Sequence, residues 1–179
     1  MNRIRRAIVA GLMILVGGAA LAETYRDRDV EMQAVTELDL ERYLGTWYEI
    51  ARFPNRFEKG CEGVTAEYGL RDDGKISVLN TCRIGVPDGE VKSADGQAKV
   101  VGPGKLSVTF VPWLPFARGD YWVLYLDEAY ELAVVGAPRG TTGWILARSP
   151  SISAQERAKA EEILRQNGYD PSRLREVRH

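Results

Sequence analysis

Few residues in this chain are equipped for chemistry. Its single histidine, His179, is the last of 179 residues. With no internal imidazole, a Ser/His/Asp triad, a Cys/His pair and a His-rich zinc site are excluded. The two cysteines, Cys61 and Cys82, offer either a reactive thiol or a disulfide, and no histidine is at hand to lower a thiol pKa. Gly102-Pro103-Gly104-Lys105 lacks both the upstream glycine spacing and the following Ser/Thr of a phosphate loop, so it reads as a hairpin turn. Asp72-Asp73, without further ligands, also reads as a turn and not as a calcium site. No catalytic residue, metal site or cofactor is expected. Glu49 is the exception that needs an explanation: strand alternation from Trp47 turns it inward, where a lone carboxylate is costly without a partner or solvent.

Charge narrows the partners. Lys and Arg total 24 against 25 Asp and Glu, and the pI is near 6.0. Apart from the extreme N-terminus no arginine-rich stripe is present, so nucleic acid is not an expected partner. Arg3, Arg5 and Arg6 precede an uncharged run from Ala7 to Ala22 that ends Ala20-Leu21-Ala22. That pattern predicts a secretory signal peptide over residues 1–22, with a retained membrane anchor as the alternative. Cleavage removes three basic residues and leaves 21 against 25 acidic, a net charge of −4. No cysteine lies near the cleavage point, so an acyl-cysteine anchor has no attachment site there. Both cysteines fall in the exported part, where a disulfide is expected.

The elements that must position these residues are mostly strands. Segments rich in Val, Ile, Tyr, Trp and Leu recur at 44–53, 63–70, 75–82, 93–101, 105–111, 120–127, 131–137 and 143–149, separated by Gly/Pro/Asp clusters. Connections alternate long and short, so an up-and-down meander has one loose end and one tight end. Eight such strands can close into a barrel that holds one small ligand and leaves no exposed edge, a β-sandwich being the structural alternative. Cys61 and Cys82 flank the hairpin whose turn is Arg71 to Gly74, nearly opposite each other. Ser153-Ala154-Gln155-Glu156 has the form of a capping box, and Ala160, Ile163 and Leu164 mark the apolar side of the helix it starts. The strand Tyr121 to Leu126 is apolar at both parities, as expected of a wall buried under that helix.

The run Gly45-Thr46-Trp47-Tyr48-Glu49-Ile50-Ala51-Arg52, followed by Phe53-Pro54-Asn55-Arg56-Phe57-Glu58-Lys59-Gly60, resembles the first motif of the lipocalins, and most of all the bacterial outer-membrane and apolipoprotein D-like subgroup. Asp127 and Tyr130 stand where the second motif lies, and Arg148 is the arginine of the third. Two departures are the spacing of Asp127 from Tyr130 and the missing lipid-anchor cysteine. The resemblance implies an eight-stranded up-and-down antiparallel β-barrel with one C-terminal helix outside, built from residues 39–179 after a flexible segment at 23–38. Gly45 would permit the turn into the first strand, Trp47 would plug the closed end, and Arg148 would lie against its indole face.

The same resemblance implies a non-enzymatic periplasmic carrier of small amphipathic lipids such as fatty acids or lysophospholipids. The alternatives are a cavity enzyme, such as an isomerase using a cysteine, and a periplasmic interaction protein. Cavity candidates are Tyr121, Val123, Tyr125, Trp144 and Leu146; a parity error would exchange the first three for Trp122, Leu124 and Leu126. The third long loop carries Trp113, Leu114, Phe116 and Arg118 and is expected at the mouth, touching a membrane transiently. A lid over the ligand or a homodimer contact are its other readings.

Overall fold

The computed structural model describes residues 23–179; the expected signal peptide lies outside them. Nine strands form one antiparallel sheet: β1 Gly45–Arg52, β2 Cys61–Leu70, β3 Ile76–Ile84, β4 Val91–Gly102, β5 Lys105–Thr109, β6 Gly119–Leu126, β7 Leu132–Gly136, β8 Gly143–Ala147 and the two-residue β9 Arg175–Glu176. Neighbours in the chain are neighbours in the sheet from β1 to β8, and β8 then pairs with β1, which closes an eight-stranded barrel. All eight expected strands are present.

Among the described residues, two α-helices complete it. The short α1, Leu40–Tyr43, is capped by Asp39 and shuts the tight end. The longer α2, Ala154–Gln166, begins with the expected capping box: the Ser153 hydroxyl accepts from the Glu156 N–H, and the Glu156 carboxylate accepts from the Ser153 N–H. It lies outside the wall, on β6 and β7.

The alternation of the strands divides the apolar residues into two bodies. One fills the barrel, around Trp47, Val78, Leu106, Val123, Val135 and Leu146. The other lies between the wall and α2, with Leu124, Val134, Ile145, Ala160, Leu164 and Tyr169. Val134 and Val135 face opposite sides yet both are fully buried, as a strand covered on both faces must be. Burial of each such side chain contributes about 1.5–3 kcal/mol.

Of four register shifts in the sheet, two decide which of the expected site residues face inward. The β1–β8 register slips between Glu49 and Ala51, and the β6–β7 register slips between Val123 and Tyr125. Each inserts one residue and reverses the alternation beyond it. Consequently Ile50 and Ala51 both join the outer body, and so do Leu124 and Tyr125.

Residues 23–38, expected as a flexible segment, make backbone hydrogen bonds to distant parts of the chain. The Tyr25 N–H donates to Gly140 O, the Asp27 N–H to Gly168 O and the Val35 N–H to Val123 O. Gly168, at φ +82°, follows the C-terminal end of α2 and lies so close under Asp27 that a Cβ there would stand 2.6 Å from the Asp27 carbonyl oxygen. Only glycine combines that conformation with that approach.

Candidate functional site

The tight end is closed by aromatic packing. Trp47 is fully buried, its indole N–H donates to Tyr43 O at 2.8 Å, and Arg148 covers its ring at 3.9 Å. Gly45, at φ +89°, lets the chain turn from α1 into β1 beside the Arg148 guanidinium. Asp127 holds the β6–β7 turn by accepting from the N–H groups of Glu131 and Leu132, while Tyr130 takes a left-handed conformation (φ 63°) under the Arg42 guanidinium. The motif residues therefore converge on one end of the barrel.

Above that plug the interior is floored by three tyrosine hydroxyls. Tyr43 and Tyr121 share a hydrogen bond of 2.7 Å, and Tyr68 donates to Tyr121 at 3.0 Å. Burial pushes all three hydroxyls up, that of Tyr68 to about 12, so they remain neutral donors and acceptors. Tyr121 stacks on Trp144 with ring centres 6.3 Å apart. Val123 and Leu146 belong to the same inner body. Four of the five expected lining residues thus share the interior.

Tyr125 does not. The bulge after Val123 turns it outward, into the body under α2 with Lys159 over its ring, so its expected place in the cavity is corrected. Of the exchange set, Trp122 and Leu124 face outward too, and Leu126 faces in. Neither uniform parity describes this strand.

An ion cluster lies within the first motif, where sequence reading singled out Glu49 alone. Past the first bulge Arg52 turns inward and is buried; its Nη1 donates to Glu49 Oε1 at 2.6 Å. Glu49 therefore has the partner its burial demands. Glu58, in the loop after β1, brings a second carboxylate: its Oε2 lies 4.0 Å from Arg52 Nε and accepts from the Trp144 indole N–H at 3.3 Å. Burial first, and then the charge of Glu58, hold the Glu49 carboxyl well above its ordinary range. The one sequence signal for this cluster was the inward parity of Glu49; the turning of Arg52 depends on a bulge.

Cys61 and Cys82 form a disulfide, with Cα atoms 5.3 Å apart. Both cysteines of the chain are consumed, which leaves no thiol for an isomerase-like mechanism. Beside it the chain's last residues repair the wall where β1 and β2 part. Strand β9 pairs with β1, the Gly63 N–H donates to Arg178 O at 2.6 Å, and the Glu62 carboxylate accepts from Arg175 and Arg178. His179 reaches the Glu49 carbonyl at 2.9 Å.

At the loose end, apolar side chains stand in solvent. Trp113 is 73% and Phe116 82% exposed, with Leu114 and Arg118 also exposed in the same loop. Thr109 ties the base of that loop, donating to Ala117 O and accepting from the Val111 N–H. Phe57 and Val86, from two adjoining loops, are exposed as well. Sequence reading missed these two because single apolar residues in loops carry no pattern.

Comparison with known proteins agrees with this architecture. Residues 38–179 match the family model of the lipocalin-like domain. The chain is 40% identical over 141 residues to the outer membrane lipoprotein Blc of Escherichia coli K12, covering 78% of each protein. It is 39% identical to temperature-induced lipocalin-1 of Arabidopsis thaliana over 80% of this chain and 81% of that one, and 37% identical to mouse apolipoprotein D over 76% and 74%. Among solved structures it resembles insecticyanin of the tobacco hornworm, with a TM-score of 0.64 at 21% identity, covering 83% of this chain and 85% of that one.

Proposed function

The chain belongs to the lipocalin family, and from that premise we propose that it is a non-enzymatic carrier of single-chain amphipathic lipids, fatty acids and lysophospholipids, in the periplasm. The observation that carries this reading is the interior itself. Tyr121 and Trp144 stack above a hydroxyl floor, flanked by Val123 and Leu146, and a polar cluster sits near the loose end. An apolar interior with a few placed polar groups is how small-ligand sites are generally built. The naming of bacterial relatives as outer membrane lipoproteins supports an envelope location.

The exposed Trp113, Leu114 and Phe116, with Arg118 beside them, support a second element: the mouth touches a membrane transiently to load and unload. Indole and phenyl rings partition favourably to the headgroup region, and arginine meets lipid phosphate there.

Mass spectrometry of lipids extracted from natively purified protein tests the carrier reading, together with tryptophan fluorescence during titration with oleoyl-lysophospholipid. A stoichiometric single-chain lipid and a saturable emission change are expected. No retained lipid and no change in emission would overturn it.

A further inference from the structure

The tail of an amphiphile takes the dry interior of a barrel, while a charged head is costly to bury and stays where water reaches it. The residues that meet the head are therefore those on the inner face of the wall near the loose end. On β3 and β4 that face can be followed pair by pair: Ile76 pairs with Ala98, Val78 with Gly96, Asn80 with Ala94 and Cys82 with Lys92, without a slip in register. Ile76, Val78 and Ala98 belong to the body that fills the barrel, so Asn80 and Lys92 stand on the same inner face, nearer the mouth. The wall is open there. Strand β5 joins β4 only from Gln97 onward, which leaves residues 91–96 laddered to β3 alone, and the inward Ala94 is exposed.

Two polar groups on this face lack partners within the protein. Among the described residues Lys92 makes no ion pair, and it is exposed. Asn80 Oδ1 is buried and accepts no hydrogen bond. Arg52, the inward cation of the Glu49 cluster, differs from Lys92 in both respects: it is 1% exposed and bonded to Glu49. Asn80 and Lys92 are diagonal neighbours across the β3–β4 ladder, a relation that sets Cα atoms about 7–8 Å apart, within reach of a lysine stem. Both pair partners of Asn80, Ala66 and Ala94, are small. One step deeper the face turns apolar, where the ring of Phe110 lies so close over Gly96 that a Cβ there would stand 2.8 Å from it. The order from the rim inward is cation, amide, apolar surface, which is the order of groups along an anionic amphiphile entering tail first.

We propose that Lys92 is the headgroup-binding residue of this barrel: its ammonium holds the oxyanion of a single-chain amphiphile at the mouth, and Asn80 accepts from a headgroup hydroxyl just below. This rests on the carrier reading and gives its ligand a charge and a place. The shared chemistry is an anionic oxygen group, which the carboxylate of a fatty acid or the phosphate of a lysophospholipid can supply. The lysophospholipid adds the glycerol hydroxyl that suits Asn80 Oδ1.

Oleyl alcohol, oleate and oleoyl-lysophosphatidate share one chain and differ in headgroup, and each is titrated below its micellar concentration at neutral pH. The readout is the affinity for each anion relative to the alcohol. In Lys92→Met that ratio should fall about fivefold, the upper range of an exposed charge contact, while Lys92→Arg should retain it. Salt at about 0.5 M should lower the wild-type ratio and change that of Lys92→Met little, because screening removes the same contact. Lys99→Met deletes an equal charge from the outer face of the same strand and should leave the ratio as it is. A fall for both anions in Lys92→Met assigns a general oxyanion site; a fall for oleate alone assigns the fatty-acid source, and a fall for lysophosphatidate alone the phospholipid source. Asn80→Ala should weaken lysophosphatidate more than oleate, and equal losses would strike Asn80 from the site. A ratio unchanged in a folded Lys92→Met protein overturns the proposal, and so does an equal fall in Lys99→Met. Failure of all three probes, the alcohol included, removes the carrier reading itself; alcohol binding with a ratio indifferent to Lys92 removes only this inference.

Discussion

The guanidinium of Arg148 lies 3.9 Å from the centre of the Trp47 ring while its nitrogens donate to the carbonyls of Arg42, Tyr43, Leu44, Thr46 and Tyr130. One side chain, directly after the last barrel strand, therefore caps the indole and also satisfies the free carbonyls around the end of α1. Trp47→Ala should cost about 3–5 kcal/mol through loss of a large packed group. Arg148→Ala should cost less, and the double variant should fall short of the sum by about 0.5–3 kcal/mol. Arg148→Lys should restore little, because an ammonium cannot replace the planar fork that serves several carbonyls at once. Chemical denaturation of the five proteins checks this; strict additivity would mean that the two side chains do not support each other.

The Cys61–Cys82 bridge closes a loop of sequence separation 21. In the chain-entropy model a loop of that size contributes about 3 kcal/mol. Thiol titration of denatured, oxidised protein should find no free thiol, and a Cys61→Ser/Cys82→Ser variant should melt at lower temperature while keeping its barrel. Two titratable thiols in material taken from an oxidising compartment would contradict the bridge.

Glu49 ties stability to pH. Because burial and the neighbouring Glu58 hold its carboxyl well above the ordinary 4.5, the folded protein retains a proton that the unfolded chain gives up. Its contribution is complete below the unfolded value and is lost as pH rises through the folded one. Glu49→Gln, which imitates the neutral form, should therefore flatten the fall in melting temperature between about pH 5 and about pH 9, below the range where tyrosines ionise. Parallel melting curves for wild type and variant across that window would remove Glu49 as the source.

Trp113 and Phe116 differ from the interior residues in what their loss should do. Trp113→Ser/Phe116→Ser should slow vesicle-to-protein transfer of lysophospholipid while leaving equilibrium affinity in detergent-free solution unchanged. Equal losses in both would make the loop a lid, and no effect on either would end the membrane reading.

Periodicity and turn chemistry made much of this molecule legible in advance. The eight strands alternate cleanly enough to be counted, Ser153 and Glu156 announce α2, and the hairpin geometry brings Cys61 to Cys82. What escaped inside the barrel has one physical origin. A bulge adds a single residue where the partner ladder demands it, and nothing in Glu49-Ile50-Ala51 or Val123-Leu124-Tyr125 marks that demand. From those two slips follow the outward turn of Tyr125 and the inward turn of Arg52. Strand β9 escaped for a different reason: two residues carry no period, and only the gap between β1 and β2 gives them a place. The contacts of residues 23–38 likewise depend on Gly140 and Gly168, far away in the chain.

Strand β1 is bonded on one side to β2, which follows it directly, and on the other to β8, where Tyr48 meets Ala147 about a hundred positions later. The circle is therefore completed by its most distant pair, and the entropy of that long loop must be overcome before the pairing rewards it. A chain emerging from its N-terminus can form the β2–β3 hairpin and its disulfide early, but one edge of β1 stays without a partner until nearly everything else has been made. During that interval the edge is open to any other extended chain. Shortening the polypeptide before Gly143 would not give a smaller barrel; it would leave that waiting edge permanent, and with it a route to aggregation.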